Sequence, residues 1–291
     1  MKKLIIFLII CFELNSQIKI ISENILDLPT DKSWSRPKYS FDGNTIFFTD
    51  ENFNGIWKYI LAEKSFSLIT NDAGSGYQFK ISDDNKFILY RKTTFRDKTR
   101  SQENIKLNLE NYEKIIIESG TDLQIQNIIE NQVVESKKIN SKKYSKQIIE
   151  ILGIEFGKIH LVKNGKTVIY DPITNGNYIW ASLSPSKKYI LFYETVRGTI
   201  IADLNGKIIS ELGRLDSPIW IDEDWILYMN EIDDGKNILS SDLKIISVKN
   251  KNTINLTNSK NIHELWPTIN YNSKQISCST LDGKIIIYKY E

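Results

Sequence analysis

The stretch Pro37–Thr49, PKYSFDGNTIFFT, limits the possible folds of this chain more than any other, because it recurs. Two short apolar runs flank Asp42-Gly43, the signature of a tight hairpin. Copies begin at Gln78 (QFKISDDNKFILYR), Trp180 (WASLSPSKKYILFYE), Ser217 (SPIWIDEDWILYMNE) and Trp266 (WPTINYNSKQISCST), and an eroded one begins at Leu123 (LQIQNIIENQVVES). The equivalent positions are Ser40, Ser82, Ile129, Ser184, Ile221 and Asn270, spaced 42, 47, 55, 37 and 49 residues apart. A period in the forties, with four short strands per unit, marks a propeller blade.

Each hairpin is followed by two more strand-like runs. They are GIWKYI and FSLIT in the first unit, IKLNLE and EKIIIE in the second, and KIHLVK and KTVIY in the third. TIIADL and KIISEL follow in the fourth, LKIISV and TINLT in the fifth, and KIIIYKY in the sixth. Ile, Leu, Val and Tyr dominate them, and Gly, Asn and Asp punctuate them. The sixth unit lacks a fourth strand, which would leave an unpaired edge. The run QIKIISE, Gln17–Glu23, is expected to supply it. The predicted fold is therefore all-β: a six-bladed propeller of four-stranded antiparallel blades, closed by an N-terminal strand that completes the last blade. One domain is expected over residues 17–291, with blades at roughly 33–70, 76–118, 122–171, 178–212, 216–257 and 264–291 plus 17–23.

Local chemistry explains the repeated residues. Ser40 can bond the backbone at the turn, Asp42 suits a tight turn, and Gly43 supplies a positive φ at little cost. The aromatic residues Tyr39, Trp180, Trp220 and Trp266 are expected to fill the wedges between blades. Cys278 sits in an alternating run and is expected to be a buried structural thiol.

The copies resemble the TolB-type propeller family, whose first hairpins carry a Pro-x-Trp-Ser-Pro-Asp-Gly-x-x-Ile-x-Tyr pattern. Pro37, Ser40, Asp42, Gly43, Ile46 and Phe48 match it, as do Ser82, Asp83, Ile88 and Tyr90. Trp180, Ser184, Pro185, Ile190 and Phe192 match in the fourth unit, and Trp266-Pro267 in the sixth. The resemblance spans about Gln17 to Glu291 and implies the fold. It does not fix a role, since such blades occur in periplasmic translocation proteins and peptidase accessory domains.

Met1-Lys2-Lys3 followed by the apolar run Leu4–Phe12 has the form of a secretory signal, with cleavage expected after Ser16. The run is too short to span a bilayer. Export to the periplasm or beyond is the expected location. Leu8-Ile9-Ile10-Cys11 is similar to a lipobox, although Ile10 stands where a small residue is usual. A lipid-anchored envelope subunit held through Cys11 is therefore an alternative.

Nothing in the chain assembles a nucleophile with its base. There are two histidines, His160 and His263, and no Gly-x-Ser-x-Gly elbow. His263-Glu264 lacks the second histidine of a zinc helix, and Asp233-Asp234-Gly235 has the look of a solvated acidic turn. No catalytic, cofactor-binding or metal-binding residue is predicted. The net charge of +2 excludes a nucleic-acid binder by bulk electrostatics. Local charge says more. Arg91, Lys92, Arg96, Lys98 and Arg100 form one basic run, and Lys142, Lys143 and Lys146 belong to a second. Both are expected to be loops between the second and third strands of neighbouring blades, forming one ridge. The expected function is a non-catalytic exported scaffold, expected to be monomeric, that binds a protein or peptide partner or an anionic ligand. A propeller enzyme, such as a polysaccharide lyase or cyclotransferase, is the alternative from another class.

Overall fold

The run TIFFTD shows why the chain forms stacked sheets. Ile46 and Phe48 pack on one face with Trp34, Ile285 and Ile287. Phe47, between them, packs on the other face with Phe79, Ile88 and Leu107. A strand buried on both faces needs a neighbouring sheet on each side. The same division recurs: Ile190 and Phe192 go one way and Leu191 the other, and Ile226 and Tyr228 oppose Leu227 and Met229. Consecutive apolar residues therefore belong to consecutive cores.

The computed structural model describes residues 18–82, 84–96, 99–117, 149–163 and 166–291. After β1 (Ile20–Ile25), the first blade holds β2 (Trp34–Tyr39), β3 (Thr45–Asp50), β4 (Ile56–Ile60) and β5 (Ser65–Thr70). The second holds β6 (Lys80–Ile81), β7 (Phe87–Arg96), β8 (Thr99–Asn108) and β9 (Lys114–Ile117). The third has β10 (Ile149–Glu155), β11 (Lys158–Lys163) and β12 (Lys166–Tyr170) among the described residues. The fourth holds β13 (Tyr178–Leu183), β14 (Tyr189–Glu194), β15 (Gly198–Asp203) and β16 (Ile208–Gly213). The fifth holds β17 (Asp216–Trp220), β18 (Trp225–Asp233), β19 (Ile238–Ser247) and β20 (Thr253–Asn255). The sixth holds β21 (Glu264–Asn270), β22 (Gln275–Thr280) and β23 (Ile285–Tyr290). Every sheet is antiparallel and runs in chain order from the inside outward, and β1 adds to β23 as the outer strand of the sixth blade. The structure is the predicted all-β six-bladed propeller, closed by its N-terminal strand.

The third blade differs in detail from the sequence pattern. The eroded copy Leu123–Ser136 lies outside the described residues, as do residues 1–17. Lys158–Lys163 and Lys166–Tyr170, expected third and fourth, are second and third in the described sheet, with β10 inside them. A two-residue turn, Phe156-Gly157, joins β10 to β11, with φ of 49° and 71°. Two positive φ values make the tight hairpin turn that needs no Ser-x-Asp-Gly signature.

Elsewhere the motif works as its chemistry requires. The Ser40 hydroxyl accepts from Thr45 N at 3.0 Å and donates to Asp42 at 2.6 Å, which holds that carboxyl below its usual range. Ser82 and Ser184 accept from Phe87 N and Tyr189 N in the same way. Asn85 (φ 57°) and Lys187 (φ 59°) occupy the left-handed position of Gly43 (φ 75°).

These turns also clasp neighbouring blades. Asn85 accepts from Phe41 N at 2.8 Å, Glu223 from Ser186 N at 2.5 Å, and Trp220 O from the Tyr271 hydroxyl at 2.8 Å. Buried Asn270 donates to Gly43 O at 2.8 Å, which joins the last blade to the first. A Cβ on Gly43 would lie 2.2 Å from the Asn270 amide. Gly43→Ala is therefore expected to destabilise the fold by about 1–3 kcal/mol in urea unfolding, through positive φ and the displaced clasp. Leu26→Ala, which empties the core where β1 meets the first blade, should cost about 2–5 kcal/mol. A loss below half a kcal/mol in either variant would contradict this account of closure.

Candidate functional site

The inner strands β2, β6, β10, β13, β17 and β21 and their adjoining residues surround a central cavity of about 940 Å³. Bulges decide which side chains face it. The ladders slip between Ser35 and Lys38, Ile151 and Gly153, Tyr178 and Trp180, Asp216 and Ile219, and Leu265 and Thr268. Arg36 (φ 52°), Ser217 (φ 47°) and Trp266 (φ 56°) sit in the left-handed region at three of these slips, and each precedes a proline. Gln78 (φ 55°) stands at the corresponding place before β6. All four line the cavity. A bulge re-aims a side chain that strict alternation would send elsewhere.

The charge on this wall is uneven. Arg36, Lys38, Lys80 and Lys187 line it, against one acid, Glu150, among the described lining residues. The Arg36 guanidinium lies 3.8 Å from the centre of the Trp266 ring and 5.2 Å from that of Phe53. Its Nε is buried and has no hydrogen-bond partner. Lys38 donates from Nζ to Phe79 O at 2.5 Å and lies 4.8 Å from the Phe79 ring centre. Burial, then the charges of Lys80 and Arg36, pull its pKa from 10.5 down to about 8.

Sequence reasoning missed Arg36, Lys38, Lys80 and Lys187. The available signal was the proline inside an inner strand, in Arg36-Pro37, Ser217-Pro218 and Trp266-Pro267, because proline is confined to edges, ends and bulges of a sheet. Trp220 fills a wedge between the fourth and fifth blades, as expected, and Tyr39 packs between the sixth and first. Trp180 and Trp266 do double duty: each packs against an interblade core and also lines the cavity.

The basic run from Arg91 to Arg100 is not a loop. Arg91, Lys92 and Arg96 lie on β7 and Arg100 on β8, in a ladder that pairs from Phe87–Asn108 to Arg96–Thr99. Thr93, Thr94 and Phe95 favour extended chain, so the strands simply continue. Lys92 is 3.9 Å from Asp72, which also takes Lys114 at 2.7 Å. Arg91 lines a second cavity of about 340 Å³, together with Lys38 and Lys80 of the central one. The side chain of Arg96, and Lys98, Lys142, Lys143 and Lys146, fall outside the described residues.

His160 lies on β11 and His263 just before β21, and neither lines the central cavity. Among the described residues no three His, Cys, Asp or Glu side chains are grouped to hold a metal. Asp233 and Asp234 bond Gly235 N, Lys236 N and Asn237 N and so shape the tip of the β18–β19 hairpin. Cys278 is fully buried between the fifth and sixth blades, and burial pushes its thiol pKa up. No helix among the described residues is long and apolar enough to cross a membrane.

The lowered pKa of Lys38 has a stability consequence. Between about pH 8 and 10.5 the unfolded chain holds a proton that the folded chain has released, so stability rises with pH across that window. Below about pH 8 both states hold the proton and the burial cost is felt in full. Lys38→Met is expected to raise the melting temperature at pH 7 and to remove this share of the alkaline rise. A variant that melts lower than the parent at pH 7, or keeps the full rise, would contradict it.

No family model matches the chain, and no curated protein matches it. Solved structures do. A chain of the mitotic checkpoint complex superposes with a TM-score of 0.57 at 11% identity, covering 99% of this chain and 98% of that one. The Cps50 (Swd1) β-propeller domain of Myceliophteria thermophila gives 0.56 at 8%, covering 92% and 99%. An oligogalacturonate lyase in complex with manganese gives 0.51 at 9%, covering 94% and 98%. At these identities the likeness is one of fold, and the fold it shares with them is the β-propeller.

Proposed function

We propose that this chain is an exported, non-catalytic scaffold of the TolB type, whose channel receives a segment of a protein partner at the cell envelope. The observation that carries the reading is the channel wall. It presents four basic side chains, two tryptophans and three prolines around about 940 Å³, with neither histidine on it. Cavities of this size with mixed apolar and polar lining suit a ligand rather than solvent alone. The side cavity carries the same basic character outward to Arg91 at the root of the long β7–β8 hairpin.

Rigid blades favour such docking, because a surface already held in place loses little freedom on binding. The checkpoint-complex chain, by its name a part of a protein assembly, belongs to the class of role proposed. Export rests on Lys2-Lys3 and the apolar run Leu4–Phe12.

The test is recovery of partners from envelope extract by the wild-type chain and by a chain with Arg91, Arg100, Lys142 and Lys143 changed to Ser. A partner retained by the wild type and at least about fivefold depleted with the variant is expected, from the loss of electrostatic steering. Equal recovery would remove the basic hairpin from the docking surface. Absence of any retained partner would sink the scaffold reading.

A further inference from the structure

We infer that the channel binds the carboxylates of an acidic peptide segment, with Arg36, held on the face of Trp266, as the clamp and Lys38 and Lys80 beside it. The inference rests on the channel-docking reading above and specifies the chemistry of the occupant.

Arg36 is prepared for a planar anion. Its backbone is fixed in the left-handed region at a bulge, and its guanidinium lies 3.8 Å from the Trp266 ring centre. The fork is thus oriented before any ligand arrives, while its buried Nε has no partner. The ion pairs of the described residues include neither Arg36 nor Lys38. Lys38 follows two residues later on the same strand, and Lys80 holds the matching place on the next blade. Three cations from two adjacent blades thus converge on one side of the channel. Charges withdrawn from water are ordinarily paired, and a ligand carboxylate would pair Arg36 and Lys38.

The remainder of the wall selects a peptide over a small inorganic anion. Pro37, Pro218, Pro267 and Ile219 line the cavity, and Trp180 stands on the fourth blade, opposite the first in the ring. A phosphate ion would leave this apolar surface unused. A chain alternating acidic and apolar side chains would use both parts, and the planar guanidinium fork matches a carboxylate in two hydrogen bonds. Glu150, on the third blade, confines the acidic groups to the side of the first and second blades.

The experiment is fluorescence anisotropy of the purified chain with a fluorescein-labelled hexapeptide of alternating Glu and Leu, and with its Gln-for-Glu counterpart. The Glu peptide is expected to bind at least about tenfold more tightly, and to weaken steeply with added salt. Arg36→Gln should lose about tenfold or more, and Arg36→Lys should recover part of it, since a lysine keeps the charge without the fork. If Arg36→Gln does not fold, Lys80→Gln, with an expected loss of about threefold or more, carries the test. Equal affinity for the two peptides, an Arg36→Gln chain that folds and binds normally, or displacement by inorganic phosphate as effective as by unlabelled peptide would each overturn it. Equal binding by peptides that also displace the envelope partner would leave channel docking standing and remove only the acid selectivity. Failure of both peptides to bind, with the partner still recovered, would overturn the acidic-peptide site and place docking outside the channel.

Discussion

Everything in this molecule depends on closing a ring. A blade whose strands are apolar on both faces is satisfied only with a neighbour on each side, so a row of six would leave two wet faces. Pairing of β1 with β23 prevents this by making the last blade from both ends of the described chain. Leu26, just past β1, then enters the core shared by the sixth and first blades. Asn270 reinforces the seam on the turn side through Gly43 O. The hydrophobic contribution is the larger, since buried apolar area adds up across a whole sheet face while each neutral hydrogen bond contributes about 1 kcal/mol net. The clasp instead sets the register in which the faces meet.

Closure leaves six inner strands around an axis, where their spacing is too wide for side chains to fill the centre. Bulges settle what points there. At the slips in β2, β17 and β21 a left-handed residue is followed by proline, which has no N–H to offer the ladder and fixes the chain beyond the kink. The exposed backbone that a bulge creates would be a defect in a central strand. On the innermost strand it borders the channel, and the misdirected side chain becomes part of the wall.

This division explains what was legible in the sequence. Ser40, Ser82 and Ser184 announced the blades because each makes a local bond to its own turn, which any copy must repeat. The repeat pattern puts the third hairpin at Leu123–Ser136, whereas the innermost described strand of that blade is Ile149–Glu155, joined to the next by Phe156-Gly157. A two-residue turn satisfies the same geometry by backbone alone, so no motif survives to be matched. Gly153 inside an apolar run was the remaining clue, since glycine within a strand marks a bulge. The channel residues were hidden for a different reason. Alternation assigns Arg36 a face that the bulge then changes, and no local bond advertises the change. The stretch Arg91–Arg100 misled in the opposite direction, because charge density suggested a loop where threonine and phenylalanine continue a strand pair.

The seam and the candidate site are the same place. Arg36 belongs to the first blade and Trp266 to the sixth, so the guanidinium rests on an aromatic face that reaches it only when the ring has closed. On the other side of β2, Lys38 bonds Phe79 O on the second blade. In an open row Arg36 would lose that aromatic face, while Lys38 would keep its place against the second blade. Closure fixes Arg36 beside Lys38 and Lys80, and burial, then the charges of Lys80 and Arg36, pull Lys38 towards a pKa of about 8. The core must therefore hold a cluster whose charges oppose its assembly, and an anion bound there would relieve that opposition. Ligand affinity and ring stability are for this reason linked through the same residues: whatever binds across Arg36 and Lys38 also fastens the first blade to its neighbours.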